Sequence, residues 1–167
     1  MAATSELAPS AFESLSLSPV FSHVSDAHLQ EIAGHSRRRS FRRGAVLMRQ
    51  GDTSESMDVL VKGRAKIERV LPGKDQPVLL AKLGPGDVVG EMGVLAGIPR
   101  TATVTALDDL ETLELKATFL KKLFRRDTDV LLAIMRIVSQ RWQNMDEFVE
   151  MSLQVALEQL VVDEATA

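Results

Sequence analysis

Between Ser36 and Lys116 the chain meets a turn-forming residue every few positions, which leaves no room there for a long helix. Gly44, Gly51-Asp52, Lys62-Gly63, Pro72-Gly73, Gly84-Pro85-Gly86-Asp87 and Asp108-Asp109 all have the chemistry of turns. Short runs rich in Val, Leu and Ile lie between them. Within Arg64 to Arg69, Ala65 and Ile67 alternate with Arg64, Lys66 and Glu68, the period of a half-buried strand. Thr101 to Thr105 and Glu111 to Leu115 repeat that texture. The spacing predicts roughly eight short strands in an antiparallel sandwich or jelly roll.

Helical spacing flanks this block. Leu15, Val20, Phe21, Val24, Leu29, Ile32 and Ala33 predict two short helices ending near Gly34, with Ser18 and Ser25-Asp26 as candidate caps and Pro19 in a first turn. After Lys116, Phe119, Leu120, Leu123 and Phe124 mark another short helix. Thr128-Asp129 opens a long one, in which Leu131, Ile134, Met135, Val138, Trp142, Met145, Val149 and Ala156 recur every three or four residues. Thirty residues of helix span ~45 Å, more than a small sheet covers, so part of this stripe is expected to face another chain. Met135, Val138, Trp142, Met145 and Val149 are its seam positions.

A length of 167 residues suits one domain with a real core. We expect a flexible tail over 1–9, the domain over 10–160 and a second tail over 161–167. The net charge of −3 argues against general nucleic-acid affinity. Absence of cysteine excludes disulfides, thiolate metal sites and thiol catalysis. His23, His28 and His35 lie in or beside the N-terminal helices and none on a predicted strand, so no metal site is expected. With neither a signal peptide nor an apolar run long enough for a membrane span, a cytoplasmic location is expected.

The chemistry is concentrated in Gly84 to Ala102, GPGDVVGEMGVLAGIPRTA. Gly90 allows close approach of the backbone to a ligand, and residues 91–95 can form one helical turn with N–H groups turned to an anion. Arg100, the only cation in the stretch, matches two phosphate oxygens with parallel N–H bonds. Glu91 is a poor phosphate neighbour but a good acceptor for a sugar hydroxyl. One carboxylate, one guanidinium and a cluster of backbone donors suit a ligand with a hydroxyl beside a singly charged phosphate. No residue set suits catalysis, and no enzyme is expected.

This segment resembles the phosphate-binding cassette of the cyclic-nucleotide-binding domain family, which includes catabolite activator proteins, kinase A regulatory subunits and cyclic-nucleotide-gated channels. Its pattern is Phe-Gly-Glu-apolar-Ala-Leu, a spacer, then Arg-small-Ala. Here Val89-Gly90-Glu91-Met92-Gly93-Val94 and Arg100-Thr101-Ala102 stand at those positions, with Val89 for the aromatic and Gly93 for the alanine. Leu15 to Ile32, Phe41, Gly44, Gln50-Gly51-Asp52, Val61-Lys62-Gly63 and Leu83 to Asp87 resemble other parts of the family. The resemblance implies an α+β fold: an eight-stranded antiparallel β-roll (jelly roll) with N-terminal helices and a long C-terminal helix. It implies a ligand, cAMP or cGMP, and no further cofactor. Gly90 and Glu91 would take the ribose 2′-hydroxyl, and Arg100, Thr101 and the N–H groups near Gly93 and Ala102 the cyclic phosphate, with Met92 a further ligand-binding residue. The C-terminal helix would cap the base, with Arg141, Asn144, Met145 and Asp146 as candidate contacts, and would carry a homodimer seam. Our reading is a cAMP receptor that signals by movement of this helix, with a cGMP-selective receptor as the alternative. Thr101 permits guanine, because its hydroxyl can accept from a 2-amino group. A structural dimerisation module that has lost its ligand is the alternative from another class. No helix-turn-helix follows the long helix, so no DNA-binding domain is expected, and the chain is either a stand-alone module or a piece of a larger protein.

Two features have plainer readings. Glu91 and Arg100 could form a surface ion pair, worth only ~0–1 kcal/mol. Arg37, Arg38, Arg39, Arg42 and Arg43 could form a nucleic-acid patch or a basophilic kinase site, but a solvated strand face and turn is the simpler expectation.

Overall fold

The computed structural model describes residues 9–141, 143 and 144. The chain divides into two compact units, Met1–Ile134 and Met135–Ala167. The first holds helices α1 (Ala11–Ser16), α2 (Asp26–Gly34), α3 (Glu91–Ala96) and α4 (Ala117–Arg126), and a 3-10 turn at Pro19–Phe21. It also holds strands β1 (Arg37–Phe41), β2 (Val46–Met48), β3 (Ser56–Lys62), β4 (Ala65–Val70), β5 (Pro77–Leu83), β6 (Val88–Val89), β7 (Thr103–Ala106) and β8 (Leu110–Lys116). A further helix, α5, runs from residue 128 into the second unit.

The eight strands form two four-stranded sheets, ordered β1-β8-β3-β6 and β2-β7-β4-β5, with every pairing antiparallel. This is the expected β-roll. The chain crosses between sheets at most of the predicted turns, so β3 and β4, though consecutive, lie in different sheets, while Pro72-Gly73 joins β4 and β5 within one sheet. Met48, Leu60, Ala65, Ile67, Leu83, Val89, Val104, Ala106 and Leu110 form the apolar core, with Phe41, Leu80 and Ala102 packed against it. On β4 the buried residues are Ala65 and Ile67, as the alternation predicts.

Of the two candidate caps Ser18 and Ser25, the helix boundaries bear out Ser25, and they add a cap at Ser10. Ser10 and Glu13 form a reciprocal capping box on α1. Ser25 caps α2 by accepting from the His28 N–H. Ser18 precedes the Pro19 turn, but its hydroxyl does not cap it and instead donates to the Gly86 carbonyl at 2.6 Å. That bond ties the N-terminal segment to the turn leading into β6. Asp127, not Thr128 or Asp129, accepts at the start of α5, from the N–H groups of Asp129 (3.0 Å) and Val130 (3.4 Å). A side-chain cap of this kind is worth ~1 kcal/mol. The second oxygen of Asp127 pairs with His28 of α2. His35 stacks on Phe119 of α4, with ring centroids 4.2 Å apart.

The basic run is answered strand by strand. β1 lies antiparallel to β8, whose acidic residues meet its arginines: Arg37 and Arg39 pair with Glu114, Arg38 with Glu111, and Arg42 beyond the strand with Asp109. A run so matched in charge offers little field for nucleic acid; Arg37, Arg38, Arg42 and Arg43 are exposed, as a solvated strand face and turn predicts, whereas Arg39 is half-buried. No described helix is long and apolar enough to cross a membrane.

Candidate functional site

Val88-Val89 is the short edge strand β6, paired with β3 at Val59 and Asp58. It ends at Gly90, whose φ of +85° is a left-handed conformation that glycine adopts without strain. A side chain there would also collide. An added Cβ would stand 2.4 Å from Arg100 Nη1 and 2.9 Å from the Met48 methyl. The backbone angle is what favours glycine at 90, and a Cβ would in addition oblige the tips of the Arg100 and Met48 side chains to shift. Helix α3 follows at once and buries Glu91, Gly93 and Val94, with Met92 half-buried.

Arg100 returns to the same place from the far side of the α3 turn. Its backbone is clamped to the β2–β3 loop, since Arg100 N–H donates to Asp52 O and Gly51 N–H donates to Arg100 O, both at 2.8 Å. Its side chain turns inward and is only 9% exposed. Nη1 donates to the Gly90 carbonyl (3.2 Å) and Nη2 to the Ser56 hydroxyl (3.4 Å). Burial lowers the pKa of this guanidinium, while the carboxylates of Asp58, Glu91 and Asp52 oppose that shift. Glu91 is 2% exposed. The pair is thus neither solvated nor peripheral, and the surface-ion-pair reading is set aside. Thr101 and Ala102 follow, both half-buried, before β7 begins.

Arg100 and Glu91 are thus both buried, beside a glycine held at positive φ. The sequence model for the cyclic nucleotide-binding domain matches residues 38–127, more than half of the chain. The chain belongs to the cyclic-nucleotide-binding domain family.

The domain is 32% identical over 123 residues to a cyclic nucleotide-gated potassium channel of Rhizobium etli, covering 74% of this chain and 33% of the channel. It is 28% identical over 129 residues to the cyclic AMP receptor protein of Thermus thermophilus, covering 77% of this chain and 59% of that one. The chain thus spans between a third and three-fifths of these relatives' lengths. Among solved structures, the catabolite activator protein of Thermus thermophilus superposes with a TM-score of 0.71 at 27% identity, covering 80% of this chain and 62% of that one. A cyclic nucleotide-binding domain from Methylobacillus flagellatus gives 0.73 at 19% identity, covering 85% and 82%, and bears on the fold alone.

Of the predicted site residues, Gly90, Glu91, Met92, Gly93, Arg100, Thr101 and Ala102 all lie in one continuous segment, folded back so that Arg100 meets Gly90. Arg141 and Asn144 lie on α5 in the second unit, Arg141 half-buried and Asn144 exposed. Met145 and Asp146 fall outside the described residues, as do Trp142 and Val149 of the predicted seam and the whole of the predicted tail 161–167. Met135, another seam position, is exposed.

Sequence reasoning missed the residues behind the arginine. Ser56 bonds it, Asp58 supports its charge, and Ser54 packs against Gly93. A signal existed for one of them. Asp58 is the lone carboxylate in the run Met57-Asp58-Val59-Leu60-Val61, where a buried strand would otherwise be apolar throughout.

Proposed function

We propose that this chain is a cytoplasmic receptor module for a cyclic purine nucleotide, cAMP in preference to cGMP, and that it regulates rather than catalyses. The observation that carries the reading is the buried Arg100, held at Gly90 and Ser56 by neutral hydrogen bonds. A desolvated guanidinium seated on a backbone carbonyl and a hydroxyl suits a phosphate, and the buried Glu91 suits the ribose hydroxyl. In this reading Gly90 and Glu91 contact the ribose, and Met92 also lies at the ligand. Gly93, Arg100, Thr101 and Ala102 take the phosphate, and the base meets α5 through Arg141, Asn144, Met145 and Asp146. Ligand shifts that helix only to the extent that it binds the shifted state better.

Titration calorimetry with both nucleotides tests the reading. Saturable binding of cAMP, with cGMP weaker, is expected. Absence of heat and of competition with either nucleotide would instead establish the module that has lost its ligand. Thr101 permits guanine, because its hydroxyl can accept from the 2-amino group. Thr101→Ala is expected to weaken cGMP about three- to tenfold, the worth of one hydrogen bond, and to leave cAMP within about twofold. Equal loss for both nucleotides would assign Thr101 to the phosphate alone.

The regular apolar spacing of Met135, Val138, Trp142, Met145 and Val149 in the sequence supports a homodimer seam along this stripe. Sedimentation at tens of micromolar is expected to give a dimer, and replacing Val138 and Val149 together by Glu is expected to give a monomer. A parent chain that sediments as a monomer with and without nucleotide rejects the seam.

A further inference from the structure

The interior face of the β1-β8-β3-β6 sheet changes character along its length. Strand alternation puts Ser56, Asp58 and Leu60 on one face of β3, Leu110, Thr112 and Glu114 on one face of β8, and Arg39 with Phe41 on β1. Leu60, Leu110 and Phe41 belong to the core between the sheets, so the polar residues share that inward face. One end of the interior is hydrocarbon. The other, next to Arg100, is a cluster of buried charge.

Asp58 is central to it. It is 0% exposed. Its Oδ1 accepts from the Thr112 hydroxyl at 2.6 Å, while its Oδ2 accepts no hydrogen bond and stands 3.6 Å from Arg39 Nη1. Arg39 is shared with Glu114 at 3.3 Å and lies over the Phe41 ring. Among the carboxylates around Arg100, Asp58 supports the guanidinium's charge most, ahead of Glu91 and Asp52. Stability alone does not account for an ionised residue here. Burial pushes the Asp58 carboxyl above its usual range, against the Thr112 hydrogen bond and the Arg39 charge, so its ionised form weakens the fold. Asparagine would keep the Thr112 bond without that charge.

We propose that Asp58 sets the affinity of the site: its carboxylate is the internal counter-ion of Arg39 and Arg100 when no nucleotide is bound, and it opposes the ligand's phosphate when one arrives. The inference rests on Arg100 being the phosphate anchor. Two anions then share the same two cations in a region of low dielectric, where charge interactions act over longer distances than in water. The internal anion holds the guanidiniums in place and also limits how tightly the external one binds. Arg39 works in the opposite sense. It adds positive potential near Arg100 and draws Asp58 toward β1.

Calorimetry with cAMP on the full chain tests this through two variants of opposite expected sign. Asp58→Asn is expected to bind about three- to tenfold tighter than the parent near neutral pH, and Arg39→Gln to bind weaker by a similar factor. The parent's affinity is expected to rise on acidification as Asp58 takes up a proton, and the Asn variant to lose that part of the pH dependence. Arg39, Glu114 and Arg100 are the charges facing the titrating group. A thermal melt guards against misfolding. The pKa of Asp58 is raised in the folded state, so its stabilising contribution is present in acid and lost as pH rises through that pKa. Asp58→Asn is therefore expected to melt at or above the parent at neutral pH, the difference closing in acid. Equal or weaker cAMP binding by the Asn variant overturns the inference, and so does a lower melting temperature. If the parent binds neither cAMP nor cGMP, the receptor reading itself fails and takes this inference with it. If the parent binds and Asp58→Asn is no tighter, the inference fails alone.

Discussion

Replacing Arg100 with leucine is expected to remove measurable nucleotide binding from a chain that remains folded. The ligand loses the guanidinium that would pair with its phosphate. Truncating one partner of a desolvated charge pair costs ~2–5 kcal/mol, a thirtyfold to several-thousandfold loss of affinity. The fold loses less. Leucine fills much of the same buried volume, and the Arg100 backbone bonds to Gly51 and Asp52 do not involve the side chain. The Gly90 carbonyl and the Ser56 hydroxyl each lose one donor. Asp58 keeps Arg39 and Thr112. A fall of a few degrees in melting temperature with native circular dichroism is therefore expected beside the loss of binding. Arg100→Lys separates charge from shape: it keeps the charge without the planar fork, and is expected to bind more weakly than the parent but better than the leucine variant. Calorimetry and thermal melts on the three proteins make the comparison. A leucine variant that binds cAMP as well as the parent would remove Arg100 from the site.

The elements were legible because their punctuation is local. Gly51-Asp52, Lys62-Gly63 and Gly84 to Asp87 mark turns by their own backbone preferences, and Ala65 and Ile67 mark a buried strand face by period alone. The candidate site was legible because Gly90, Glu91 and Arg100 fall within eleven residues, so no long-range contact had to be guessed. What sequence did not reveal depends on contacts between distant segments. Ser18 has the chemistry of a cap, but its hydroxyl is taken by Gly86, 68 residues away. The run of arginines on β1 resembles a nucleic-acid patch until register sets Arg37 opposite Glu114. Asp127 lies just before the apolar stripe that announced α5, and the choice among Asp127, Thr128 and Asp129 as cap turns on backbone geometry that neighbouring residue types leave open. The same holds for the glycine that departs from the family pattern. Gly93 reads as a mild substitution in isolation, and its reason lies in a serine on another loop.

That reason gives the second large effect. An alanine at 93, the residue of the family pattern, is expected to damage this chain. A Cβ on Gly93 would stand 1.9 Å from the Ser54 hydroxyl oxygen, 2.5 Å from Ser54 Cβ and 3.1 Å from the Ile98 carbonyl. The first two distances are well inside contact, so α3 or the β2–β3 loop must move. That loop also carries Gly51 and Asp52, whose backbone groups clamp Arg100, so relief of the clash would displace the arginine's seat. Gly93→Ala is expected to cost ~1–3 kcal/mol of stability, as overpacking of a tight site does, and to weaken cAMP binding as well. Ser54→Gly should rescue it. Removing that side chain clears both short contacts, and no hydrogen bond is lost, because the buried Ser54 hydroxyl has no partner. Alanine within a helix is favoured over glycine by ~0.5–1 kcal/mol, which offsets part of the loop entropy gained at position 54. Ser54→Ala should rescue poorly, since its Cβ remains at the 2.5 Å position. Thermal melts and cAMP titrations of the parent, both single variants and the Gly93→Ala/Ser54→Gly double variant close a thermodynamic cycle. A favourable coupling between the two sites of ~1–3 kcal/mol is expected. Additive effects, or a Gly93→Ala chain as stable and as tight-binding as the parent, would show that Ser54 yields freely and that the glycine is incidental to the site.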